Sequence, residues 1–135
     1  MGTLGELMSR EVLAVAPEDT LGEAAERMTD ERVGSAVVLE HGRLIGILTE
    51  RDVLQAVAGR VHSSEARVRE WMTADPVVAT QETTAADSLA TMLAKGFRHL
   101  PVVEDERVVG IVSIRDILAA SVAAAPGARL GSESA

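Results

Sequence analysis

Apolar and polar residues alternate along this chain in short blocks that each suit one element. Ser35–Leu39 and Arg43–Leu48 are nearly continuous apolar runs joined by Glu40-His41-Gly42, the pattern of two strands and a hairpin turn. His99–Val103 and Val108–Val112 repeat that pattern around Asp105-Glu106. Leu21, Ala24, Ala25 and Met28 fall at helical spacing behind Thr20 and Glu23, a hydroxyl and a carboxylate three residues apart that favour a helix start. Thr84 and Asp87 open a second such helix, which Gly96 is expected to end. Thr3 and Glu6 predict a short helix over 3–8. Short strands are expected at Val12–Ala16, stopped by Pro17, and at Val77–Ala79. Thr49 predicts a helix ending near Gly59 and Ser113 one running to about Ala124.

The blocks occur twice. Gly46–Leu54, GILTERDVL, and Gly110–Leu118, GIVSIRDIL, are offset by 110 − 46 = 64 residues. Met8 maps onto Met72, Thr20 onto Thr84, Met28 onto Met92, Val38 onto Val102 and Arg43 onto Arg107 without a gap. Each copy reads strand, helix, strand, strand, helix, so the fold class is α/β (α+β) built from two repeats. The copies span 1–60 and 71–122, joined by a polar linker at 61–70. Residues 123–135 read as a flexible tail, because APGARLGSESA is too small and polar to bury much surface. A lone copy of this size would be marginally stable, so the two are expected to share a core.

Composition narrows the function. The chain has 135 residues and a net charge of −8, from 13 basic against 21 acidic residues. That argues against nonspecific nucleic-acid or anionic-membrane binding, which needs clustered positive charge. There is no cysteine, and hence no disulfide, thiolate metal site or cysteine nucleophile. No apolar run reaches membrane-spanning length and no signal peptide is visible, so a cytoplasmic location is expected. Phosphate-loop, zinc-protease, nucleophile-elbow and dinucleotide motifs are absent, and the carboxylates of the repeated motif form no acid–base pair. The expectation is therefore a non-enzyme.

The doubled G-h-h-T/S-x-R-D closure (Gly46–Asp52 and Gly110–Asp116, h apolar) and the Arg98–Glu104 run RHLPVVE resemble a tandem pair of cystathionine-β-synthase (CBS) domains, a Bateman module. The resemblance covers about residues 1–122. It implies two pseudo-twofold repeats packed sheet to sheet, modules that pair into a homodimer through their helices, and clefts for an adenosine ligand: AMP, ADP, ATP or S-adenosylmethionine. With no attached catalytic or transport domain in view, a stand-alone module regulating an unknown partner is expected.

Site residues follow from the resemblance. Asp52 and Asp116 resemble ribose-binding aspartates, whose carboxylates accept from both ribose hydroxyls. Thr49 and Ser113 resemble hydroxyl contacts beside a helix start, a natural anion site. Arg98 and His99 stand where phosphate-binding groups occur, with Arg115 and Val112 beside them. The family's geometry assigns Val15 and Ala16 to the Asp116 cleft, and Val78 and Thr80 to the Asp52 cleft. The first copy has Gly34 and Ser35 in place of Arg98 and His99, so the Asp116 cleft is expected to favour phosphorylated ligands. Thr49–Asp52 and Ser113–Asp116 also read as capping boxes that need no ligand. The alternative is thus a ligand-independent dimeric interaction protein.

Overall fold

A computed structural model describes residues 2–124 and holds a mixed α+β fold of two repeats. In chain order the elements are α1 (Leu4–Leu7), β1 (Ala14–Val15), α2 (Leu21–Glu31), β2 (Ser35–Glu40), β3 (Arg43–Thr49) and α3 (Glu50–Ala58), then α4 (Val68–Trp71), β4 (Thr73–Ala74), α5 (Ala85–Lys95), β5 (His99–Glu104), β6 (Arg107–Ser113) and α6 (Ile114–Ala124). The tail expected at 125–135 lies outside the described residues, and α6 takes in positions 123 and 124.

Helices α1, α2, α3, α5 and α6 start where the hydroxyls predict, and α4 starts behind Arg67. Thr20 N–H donates to Glu23 Oε1 at 2.9 Å while Glu23 N–H donates to Thr20 Oγ1 at 3.1 Å. In α5 only half of the expected box forms: Asp87 N–H donates to Thr84 Oγ1 at 3.1 Å, and the Asp87 carboxylate does not return the bond. Gly96 ends α5 at φ 79°, as predicted, whereas Arg32 holds the equivalent left-handed position after α2 at φ 58°. Gly59 ends α3 in right-handed geometry, and the positive φ passes to Arg60.

Two strand expectations shift. Only Ala14 and Val15 of the predicted Val12–Ala16 strand pair as a ladder. The predicted strand at Val77–Ala79 contributes a single parallel bridge, Ala79 to Val102, while a separate ladder that the sequence did not signal pairs Thr73–Ala74 with β3. Pro76, with no N–H to donate, separates the two.

The described chain divides into two compact units, and their borders cut across the sequence copies. The first-repeat unit comprises Glu11–Val77 and Asp105–Val108. Its sheet runs β1-β2-β3-β4, with β1 parallel to β2 and the other pairs antiparallel. Leu13, Val15, Leu21, Ala24, Met28, Val38, Leu48 and Val68 build its core. The second-repeat unit comprises the described parts of Met1–Arg10, Val78–Glu104 and Val109–Ala135. It holds the β5-β6 pair, flanked by the Ala79–Val102 bridge and an antiparallel Ser9–Ile111 bridge, over a core of Leu4, Met92, Leu100, Val102, Val112 and Ile117.

Each unit thus takes its leading helix from the other copy. In the first-repeat unit, Val68 and Arg69 N–H donate to the carbonyls of Asp19 and Pro17, both at 2.9 Å, and Leu21 N–H donates to Ala66 O at 2.9 Å. In the second-repeat unit the bonds recur 64 residues away: Leu4 and Gly5 N–H donate to Thr83 O and Gln81 O, and Ala85 N–H donates to Gly2 O, all at 2.9 Å. These bonds satisfy N–H groups at helix starts, which have no partner inside their own helix. The exchange also explains the glycine of the repeated motif. A Cβ added at Gly110 would lie 2.8 Å from Met8 Cγ and 3.0 Å from Ser9 O; one added at Gly46 would lie 3.0 Å from both Met72 Cγ and Thr73 O. Each glycine is the seat on which the exchanged segment's methionine rests.

Candidate functional site

The end of β6 runs straight into α6, placing Ser113, Arg115 and Asp116 in one turn. Asp116 N–H donates to Ser113 Oγ at 3.2 Å, and Ser113 N–H donates to Asp116 Oδ2 at 3.1 Å. Arg98 is brought to the same place by its carbonyl, which accepts from Ile114 N–H at 2.8 Å. The first-repeat unit repeats the arrangement, with Gly34 O accepting from Glu50 N–H at 3.0 Å. Sequence reading missed this last contact, although the common offset of 34 from 98 and of 50 from 114 is the signal that would have found it.

The two turns differ in what they leave available. In the first-repeat unit, Asp52 Oδ2 accepts from Thr49 N–H at 2.8 Å and from the Thr49 hydroxyl at 3.0 Å. The Thr49 hydroxyl proton is therefore committed to the carboxylate, and both residues are half-buried. In the second-repeat unit the Ser113 hydroxyl makes no such donation, and Asp116 is exposed. In both turns one carboxylate oxygen, Oδ2, closes the helix start. Oδ1 of each has no hydrogen-bond partner among the described residues. Capping thus leaves one oxygen of each aspartate free to accept from a ligand.

The remaining expected site residues are distributed as follows. Arg98 and Arg115 are exposed and form no ion pair among the described residues; His99 is half-buried at the start of β5. Val112 is fully buried in the second core and Val15 is 3% exposed in the first, so their side chains belong to packing and any ligand would meet their backbone. Ala16 N–H is already satisfied by Asp19 Oδ2 at 2.8 Å, and Thr80 N–H by Thr83 Oγ1 at 3.1 Å. Val15 and Ala16 lie in the unit that carries Asp52, and Val78 and Thr80 in the unit that carries Asp116. No group of three or more acidic or histidine side chains suited to a metal ion occurs among the described residues, and no described helix is long and apolar enough to cross a membrane.

Comparison with known proteins completes the picture. The family model of the CBS domain matches residues 4–59 and again 68–123. The chain belongs to the CBS-domain family. It carries two CBS copies in tandem, each including the leading helix that the compact units exchange. An uncharacterized 17.7 kDa protein from Acidianus ambivalens is 38% identical over 116 residues, covering 84% of this chain and 70% of that protein. Other curated relatives are longer, and the chain spans only 40% and 22% of two of them. Among solved structures, the CBS-domain protein ATU1752 from Agrobacterium tumefaciens is similar with a TM-score of 0.83 and 34% identity, over 89% of this CBS pair and 99% of that chain. The CBS domain pair of protein MJ0100, solved in complex with 5-methylthioadenosine and S-adenosyl-L-methionine, is similar with a TM-score of 0.81 and 25% identity, over 88% of this chain and 98% of that one.

Proposed function

We propose that this CBS pair is a regulatory module that binds an adenosine-containing ligand through Ser113 and Asp116 and thereby changes how it meets a partner protein. The observation that carries the reading is the unspent capacity at this turn. Asp116 Oδ1 and the Ser113 hydroxyl proton have no partner among the described residues, and Arg98 stands beside them without an ion pair. A carboxylate oxygen suits ribose hydroxyls, and a hydroxyl donor with an arginine suits a phosphate. The adenosine ligands in the similar MJ0100 complex support the class. At the first-repeat turn the hydroxyl is committed and Gly34 and Ser35 replace the basic pair, so Asp52 is the weaker candidate for phosphorylated ligands.

The test is calorimetric titration with AMP, adenosine and S-adenosylmethionine of the wild type, Asp116→Asn, Asp52→Asn and Arg98→Ala. Asp116→Asn is expected to weaken AMP and adenosine alike, and Arg98→Ala to weaken AMP selectively. Each lost charge-assisted bond corresponds to roughly 1.5–3 kcal/mol. Binding that survives Asp116→Asn but not Asp52→Asn would reverse the assignment.

A second reading, a homodimeric interaction module with no nucleotide, is favoured by the exposed apolar side chains. Leu54 and Val57 on α3 are 68% and 63% exposed, and Leu93 on α5 is 67% exposed, with Leu118 and Val122 on α6 also open. These positions fall on α3, α5 and α6. Sedimentation at micromolar concentration and melts with and without ligand separate the readings. A ligand at 100 times its Kd should add about 2.7 kcal/mol of stability.

A further inference from the structure

The two hairpin turns frame a cavity of about 750 Å³ lined by Leu39, His41, Gly42, Arg43, Asp105, Glu106, Arg107 and Val108. All eight belong to the first-repeat unit, and none is a residue of the turns that carry Asp52 or Asp116. Positions 41–43 and 105–107 are equivalent at the 64-residue offset, so the cavity is built from the same place in both copies.

What the copies share there is arginine. Arg43 and Arg107 open β3 and β6, both are exposed, and neither guanidinium has a hydrogen bond or ion pair among the described residues. That is unusual company in a chain where 21 acidic residues outnumber 13 basic ones. The acids are not doubled: Asp105 and Glu106 face this cavity from one copy, where the other presents His41 and Gly42. A ligand that meets the common feature therefore meets two guanidinium groups, whose planar forks match carboxylate and phosphate oxygens.

We propose that this cavity binds a small oxyanion with two charged ends, each end held by one arginine. Phosphate and dicarboxylate ligands share the required chemistry, and inorganic pyrophosphate and succinate serve as probes of the two sources. The full chain, ¹⁵N-labelled and in low-salt buffer so that exposed charges are not screened, is titrated with each probe. Saturable amide shifts are expected at Gly42 and Asp105–Val108 with at least one of them. Arg43→Gln and Arg107→Gln should each weaken that binding by about 10-fold or more. Both residues are exposed, so both variants should keep the wild-type melting temperature. Asp105→Asn, which removes a negative charge, should tighten binding. The proposal fails if neither probe gives saturable shifts, if the shifts centre on Arg98 and Ser113–Asp116, or if both arginine variants bind as tightly as the wild type. None of these outcomes depends on whether an adenosine ligand binds at Asp116.

Discussion

Replacing Gly110 by alanine tests whether the motif glycine exists to seat Met8. The new methyl would lie 2.8 Å from Met8 Cγ, nearer still to Met8 Sδ, and 3.0 Å from Ser9 O. The thioether can swing aside, but Ser9 O cannot easily move, because it accepts from Ile111 N–H at 3.0 Å while Ser9 N–H donates to Ile111 O at 2.9 Å. Overpacking of this kind costs about 1–3 kcal/mol. Met8→Ala, at a site 9% exposed, should cost about 2–4 kcal/mol through lost burial and the cavity left behind. In the double variant the added methyl takes part of the space the methionine vacates, so the combined loss should fall short of the sum by about 0.5–3 kcal/mol. The assay is urea unfolding, followed by circular dichroism, of the wild type, both single variants and the double variant. Met72 and Gly46 should give a matching cycle in the first-repeat unit. Met8 with Gly46, which belong to different units, should be additive. Additivity within about 0.5 kcal/mol for Met8 with Gly110, or a neutral Gly110→Ala, would refute the reasoning.

Further outcomes follow from the same structure. A fragment 11–77 retains α4 and β4 against β3 and should unfold cooperatively, whereas 1–62 carries α1 but lacks that cover and should be unfolded or self-associated; a stable monomeric 1–62 would count against the exchange. Ser88 Oγ is buried with no partner where the other copy has Ala24, so Ser88→Ala should stabilise the protein by about 1–2 kcal/mol in the same urea titration. Glu106 occupies φ 65° where the other copy has Gly42, so Glu106→Gly should raise stability by roughly 0.5–1 kcal/mol, and an unchanged or lower midpoint would contradict it. Bonds from the backbone N–H and then the hydroxyl of Thr3 hold the Glu6 carboxyl below its ordinary 4.5, and those of Thr20 do the same for Glu23. Because the folded value is the lower one, the stabilisation is present above 4.5 and disappears as pH falls through the depressed value. Glu6→Gln should accordingly flatten the acid limb of a stability–pH profile.

Local signals in the sequence were sufficient for most elements. Hydroxyl–carboxylate pairs located the starts of α1, α2 and α3, and the turn residues located both hairpins, because those choices are settled by residues three or four apart. Trouble began where neighbours are distant. The segment at 77–79 looks like a strand by residue type, yet its one pairing, Ala79 with Val102, is with a residue more than twenty positions away. The leading helices were harder still. Met8 and Met72 are equivalent, as are Gly46 and Gly110, so the sequence allows each methionine either glycine. A repeat that announces the fold also hides the exchange, since its own symmetry makes the two pairings indistinguishable in one dimension.

The aspartates present a different kind of ambiguity. A hydroxyl followed three residues later by a carboxylate is what a helix start needs, and it is also what a ribose needs. The structure divides the work by atom. Oδ2 of Asp52 and of Asp116 closes a helix, and Oδ1 is left over. If the proposed ligand binds there, helix stability and ligand affinity are linked at one side chain. Asp116→Ala would remove both and would report their sum. Asp116→Asn keeps an oxygen that can accept from Ser113 N–H while removing the charge a ribose contact would use. Comparing the two variants by melting temperature and by titration should separate the effects: the melting temperature should fall further for alanine, while binding should fall in both. If asparagine lowered the melting temperature as much as alanine and still bound adenosine ligands at full affinity, the carboxylate would be a cap alone.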